Sequence, residues 1–545
     1  MNSFQNYINK LNNSFLQDKF AIFATFYATA LWLEMAENWE TPAATFIALL
    51  CLLWLIGTGI DRLKFHFYLV FTTCYFLFFH FPDVANHVNL IIFSNLTILA
   101  IAAYDRLYPQ RLRQRQDYYA ALASPIRIAL IAVYFWAGFH KLNVDFLNPY
   151  FSCSNSMFLG IVEMMKSSFF NIPVALVLAI VSFIFFRSVV SARTWQRINK
   201  NSSLFLIIGI VTLTGVAIVF LLVSLGFLLF NNLTRFIFPL FVLTTSIVVL
   251  LWELIGGIIL FLPQYQVWMF LFSIFMHLIL APIGFVDFGS LAFALWLTFI
   301  PRHYDYFLTR KLKVLQTNFS INLTLIYVFI NVFGGLISGL YYLVYPQFNI
   351  KTITGILFII SVLIVIAPLV KNFLDNPRSW QGVAIVNGRM PKFIYIFIAL
   401  LFLYAATPYL GLRTAGNFSM FSNLRTEGAT SNHLLLRNNS LKIWNYQEDT
   451  VKIIEIDDKK AEIGHKYRPL KNHSLPVVEF KKLIYQWTKA GYKVPLVFEY
   501  NNQTFTTSNI VDHPVWRTPI RNWEMIFMDF RVIQPDNGEP NYCRW

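Results

Sequence analysis

The stretch Thr352-Ile-Thr-Gly-Ile-Leu-Phe-Ile-Ile-Ser-Val-Leu-Ile-Val-Ile-Ala-Pro-Leu-Val370 carries no ionisable side chain. At about 1.5 Å of rise per residue, a helix of this length covers roughly the 30 Å of hydrocarbon in a bilayer. A single such run would define an anchor, but this chain has many. Of its 545 residues 57% are hydrophobic and only 13% charged, about half the charge density of an ordinary soluble domain. Lipid offers no hydrogen-bond partners, so repeated runs of this kind must fold as helices. The sequence reads as an all-α polytopic membrane helical bundle.

Working outward from that run, apolar windows at 20–35, 42–60, 65–81, 88–104, 125–139, 173–190, 204–230, 236–262, 267–282, 290–300, 321–345, 352–370 and 393–410 predict about 13 spans. The region 204–262 leaves room for one more or one fewer. The short window 290–300 reads as re-entrant or as beginning nearer Gly284. Lysine and arginine gather in alternate connections, at 61–64, 106–115, 193–200, 302–313 and 371–392, whereas Glu37, Glu40, Asp83, Asp145 and Asp287 fall in the others. The positive-inside rule then puts the N-terminus in the cytoplasm and the C-terminus outside the cell membrane. It also accounts for the net charge of +15, so the expected partner is the lipid bilayer and no nucleic acid is needed. The first segment, 1–19, is polar and lacks the pattern of a signal peptide.

Past the last window the composition changes, and 411–545 reads as an extramembrane α+β domain. Alternation at 441–446, 450–456 and 494–500 predicts strands, while Phe480, Leu483, Ile484 and Trp487 predict one helix over 476–491, stopped by Gly491. Cys51, Cys74, Cys153 and Cys543 show no metal-binding spacing. The sequence leaves a Cys153–Cys543 disulfide open.

Ionisable groups at membrane depth need a partner, a wet cavity or a task. His140 and Lys141 together end one span. Lys141 reads either as an interfacial lysine reaching for headgroups or as a desolvated amine available as a general base. On the expected topology Asn86, His87 and His277 come to the same outer face. A lone histidine on an apolar helix also serves as a hydrogen-bonded packing residue, and Glu253 likewise reads as a polar link between helices. The Gly-, Asn- and Ser-rich stretch 411–433 reads as a structured loop, with Arg413, Arg425 and His433 able to cap a pocket if it binds.

The string Gly138-Phe-His-Lys141-Leu-Asn-Val-Asp145-Phe146 resembles the Gly-x-x-Lys-Leu-Asn/Asp-x-Asp-Trp segment of vitamin K-dependent γ-carboxylases and their bacterial relatives, the horizontally transferred transmembrane (HTTM) family. Asn86-His87, Glu253 and His277 match further family positions in order and approximate spacing. The resemblance covers about 20–301, leaving 302–410 as additional helices. It implies Lys141 as catalytic base, Asn86 and His87 as orienters, and His277 as an assisting donor, with His140 and Glu253 as quinone-pocket residues. It also implies a reduced quinone with O2 and CO2, no metal, and a protein or peptide substrate at the outer face. The chain departs from the family at Leu280, where an asparagine is usual, and at Phe146, where a tryptophan is usual. The function expected is a quinol- and O2-dependent carboxylase or epoxidase-like enzyme. The alternative is a non-catalytic scaffold, assembly factor or carrier on the same fold.

Overall fold

The computed structural model describes residues 18–37, 41–81, 85–157, 159, 231–309, 311–313, 320–344, 351–375, 381–428, 430–437, 441–456, 470–518, 520–534, 540 and 543. The expected spans 173–190 and 204–230 lie outside them. The membrane part contains α1 (Lys19–Ala36), α2 (Pro42–Gly57), α3 (Arg62–Tyr75), α4 (Asn86–Leu107), α5 (Arg115–His140), α6 (Asn231–Ile259), α7 (Gln266–Leu280), α8 (Val286–Trp296), α9 (Leu323–Val344), α10 (Lys351–Asp375) and α11 (Ile394–Ala406).

Among the described residues six helices are long and apolar enough to cross a membrane, and three shorter apolar helices accompany them. This falls short of the expected 13 or so. Some expected spans form shorter helices, such as α2 with 16 residues, while α3 has 14 and runs on into a π-helical turn at Phe76–His80. The short window near 290 begins at Val286, two residues past Gly284, whose φ of 108° turns the chain into α8.

α1 forms the centre of the bundle. Its faces are buried almost all round, so it shows no apolar stripe but a continuous run of aromatic and small residues. Asp18 caps it by accepting from the Ala21 N–H at 2.9 Å. Phe20 meets Phe65 and Tyr118 edge-on, each at 5.6 Å. The Tyr27 hydroxyl donates to Asn95 at 2.8 Å, and Asn95 in turn donates to Thr73 at 3.0 Å. Inside α5, the buried Arg127 guanidinium donates to the carbonyls of Thr298 (2.8 Å) and Ala384 (2.7 Å), which answers two of its five N–H donors.

Outside the membrane part, β1 (Thr450–Ile456), β2 (His473–Pro476), β3 (Leu496–Tyr500) and β4 (Gln503–Thr507) form an antiparallel sheet of order β2-β1-β3-β4. The amphipathic α12 (Val477–Lys489) buries Phe480, Leu483, Ile484 and Trp487 against it. The expected α+β domain is therefore present. The expected strand at 441–446 is not: the Ile443 and Trp444 N–H groups both turn to the Leu410 carbonyl at 3.2 Å instead of pairing with a strand. A short hairpin, Lys311–Lys313 with Ser320–Asn322, also lies in a basic connection. Cys153 and Cys543 form a disulfide that ties the far end of the chain to the segment after α5.

Candidate functional site

The close crossing of α5 and α6 builds the site. Glycines make it possible: a Cβ on Gly138 would lie 2.5 Å from the Leu254 nitrogen, and one on Gly257 3.2 Å from the Phe135 nitrogen. With the backbones this close, Lys141 at the end of α5 reaches Glu253 on α6, Nζ to Oε2 at 2.7 Å, with side chains only 4% and 12% exposed. The lysine is thus held by a carboxylate rather than extended to headgroups. Its ammonium also donates to the Met420 carbonyl at 3.0 Å and lies 5.8 Å from the Phe146 ring centre.

Met420 belongs to the 411–433 stretch, which folds as a roof over the end of α5. Phe418 and Phe421 hold φ values of 65° and 51°, a region that costs a bulky residue about 1–3 kcal/mol. Surrounding bonds fix this turn. Asn143 donates to the carbonyls of His140 (2.8 Å) and Ser422. Asn432 donates to Asp145 at 2.7 Å, and an antiparallel bridge joins Asn143 to His433. From the C-terminal domain, Arg531 donates to the carbonyls of Leu424 (2.9 Å) and Thr414, and the buried Arg413–Asp529 pair closes at 3.0 Å. Beside the roof a cavity of about 550 Å³, lined by Asp145, Phe151, Arg425, Asn432 and Arg437 among others, opens outward.

Deeper in the membrane part, the Tyr134 hydroxyl meets His277 Nε2 at 2.9 Å and accepts from Trp296 Nε1 at 3.0 Å. The Tyr134 ring lies 5.1 Å from that of Trp252, the neighbour of Glu253. His277 therefore shares the neighbourhood of the Lys141–Glu253 pair. His140 is committed elsewhere, to the Tyr409 hydroxyl (2.8 Å) and the Asn417 carbonyl (3.3 Å).

His87 belongs to a second cluster. Its Nε2 lies 3.0 Å from Asp287 and 3.2 Å from Glu34, and Asn86 beside it is buried. Phe288 separates the two clusters, its ring centre 5.8 Å from His87 and 4.9 Å from His277. Glu34, His87 and Asp287 each offer one ligand atom, all within 4.8 Å of one another. This overturns the expectation that no metal is needed, because a carboxylate–imidazole–carboxylate set is a competent ligand group. Sequence reading missed Glu34, although an acidic residue near the end of an otherwise apolar first span was a usable signal. It also missed Tyr134 and Met420, whose roles depend on tertiary neighbours.

No protein-family model, no curated protein and no solved structure matches this chain.

Proposed function

We propose that the protein is a membrane-embedded modifying enzyme working at its outer face, with Lys141 as the base and Glu253 as the group that takes or returns its proton. The observation that carries this reading is the 2.7 Å contact between them, enclosed by two helices and roofed by the Met420 turn. In a low-dielectric setting such a pair passes a proton across one hydrogen bond with little movement of heavy atoms. Tyr134 and His277 supply a hydrogen-bonded relay nearby, and the roof keeps bulk water from the amine.

The resemblance to the carboxylases makes a lipid-borne quinol the acid to test first, with O2 as oxidant and a peptidyl glutamate as the carbon acid. The quinol hydroxyl would bring the proton and electrons; this chain would supply the base, its partner and the exclusion of water. On the same reading the N-terminus is cytoplasmic, the chain crosses the cell membrane about 13 times and the C-terminal domain is outside. The Cys153–Cys543 disulfide supports that side, since disulfides persist in oxidising compartments.

Quinol oxidation and oxygen uptake by the purified full chain, with Lys141→Ala and Glu253→Gln beside it, test the proposal. The expected result is wild-type turnover that falls by about 100-fold or more without the lysine. Equal rates in all three proteins would overturn it. A second reading, a non-catalytic scaffold, assembly factor or carrier, is favoured by a different observation: the Lys141 ammonium already has two contacts, to Glu253 and the Met420 carbonyl. It expects no turnover in the wild type and loss of stability without the lysine.

A further inference from the structure

The ends of α1, α4 and α8 meet around more acidic groups than their neighbours neutralise. Glu34 and Asp287 both face His87, and their side chains are 9% and 5% exposed. Glu37, one turn beyond Glu34, hydrogen-bonds to Asp287. Among the described residues no lysine or arginine forms an ion pair with Glu34 or Asp287. Three carboxyl groups beside one imidazole leave net negative charge in a low-dielectric place, which demands protons or a cation.

The spacing suits a cation. An ion about 2.0–2.2 Å from each donor spans donor atoms up to about 4.4 Å apart; the Nε2 separations are 3.0 Å to Asp287 and 3.2 Å to Glu34, and all three ligand atoms lie within 4.8 Å of one another. A second, independent feature points the same way. A cavity of about 20 Å³ touches Asp287, Glu37 and Thr354, enough for one water-sized occupant. Thr354 on its wall is 8% exposed, and its hydroxyl is buried with no hydrogen-bond partner among the described residues. A water held there would satisfy that hydroxyl and lie beside the Asp287 and Glu37 carboxyl groups.

We propose that Glu34, His87 and Asp287 bind one divalent first-row transition cation, with the Glu37 carboxyl and a cavity water completing its shell. Two carboxylates and a neutral imidazole suit Mn²⁺, Fe²⁺ or Zn²⁺ and lack the thiolates that would favour softer ions. The bound ion cross-links α1, α4 and α8 at the outer face and, through His87, sets the position of the Phe288 ring against His277.

The test uses the full chain in detergent, stripped with chelator and titrated with Mn²⁺. One Mn²⁺ per chain should bind, with nitrogen modulation in its pulsed electron paramagnetic resonance spectrum from the His87 imidazole. His87→Gln should remove the modulation and weaken binding at least about tenfold, and Asp287→Asn should weaken it similarly. Lys141→Ala should bind Mn²⁺ as the wild type does, which separates this site from the proposed base. Absence of saturable binding, or a wild-type spectrum without nitrogen coupling, would overturn the proposal whether or not the variants fold.

Discussion

Lys141 shows how a residue's partner decides between readings that the sequence leaves open. Burying an ammonium beside a carboxylate is costly, and removing one member strands the other, at about 3–5 kcal/mol for a buried pair. Lys141→Met should therefore lower the unfolding temperature clearly, while Lys141→Met combined with Glu253→Leu should recover most of that loss. The enzyme reading adds that the double variant stays inactive, so stability and turnover measured together separate the structural role from the chemical one. His433 offers a pH test outside the membrane. Its Nε2–H donates to the Phe139 carbonyl at 2.9 Å, while Nδ1 accepts from the Leu435 and Leu436 N–H groups at 3.2 Å. Burial holds its pKa below the usual histidine value, against a smaller opposing effect of the Phe139 hydrogen bond. The folded protein thus prefers the neutral ring. Its contribution is complete above the unfolded value of about 6.5 and is lost as pH falls through that value towards the depressed one. The unfolding temperature should fall as pH drops from about 7.5 to 5, and His433→Gln should flatten that slope.

At the scale of elements, α5 and α6 are held close by residues with no side chain to lose. Gly138→Ala must push against the Leu254 backbone and should cost about 1–3 kcal/mol. It should also part Lys141 from Glu253, lowering the unfolding temperature and, on the enzyme reading, turnover with it. Gly257→Ala, with its nearest contact at 3.2 Å, should be milder on both counts. The helices themselves were legible because hydropathy reports on the solvent around each segment: α4, α5 and α10 fall where apolar runs predict them. α12 was legible too, its buried residues recurring at helical spacing. Residues 441–446 misled, because alternation records which side chains could be buried and says nothing of whether a neighbouring strand exists. Here Gly411, at φ 80°, lets Trp444 approach so closely that a Cβ would sit on its carbonyl oxygen, and the segment packs on the end of the last membrane helix instead. The Glu34–His87–Asp287 cluster was illegible for a related reason. Its members lie on three helices far apart in sequence, and no local spacing records their meeting.

Across the whole molecule, the C-terminal domain and the bundle meet through the 411–437 stretch, where buried polar bonds accompany apolar contacts such as Phe285 with Phe421 at 5.3 Å. Arg413, Asp529, Arg531, Asn143 and Asn432 are all buried there. Such a junction is specific but intolerant of a missing partner. Asp529→Ala should leave Arg413 buried without its carboxylate and loosen the roof over Lys141, an effect visible as faster proteolysis between residues 411 and 437. The covalent tie acts at the largest scale. Residues 153 and 543 are separated by 390 positions, so nearly three-quarters of the polypeptide lies within a single closed ring. That ring cannot be sealed until residue 543 has left the ribosome and reached an oxidising compartment. Sealing therefore waits on 390 residues of synthesis and is a natural checkpoint: a chain stalled, clipped or misrouted before Cys543 is in place retains an open thiol at Cys153, by which a cell's thiol-based surveillance could tell unfinished copies from finished ones.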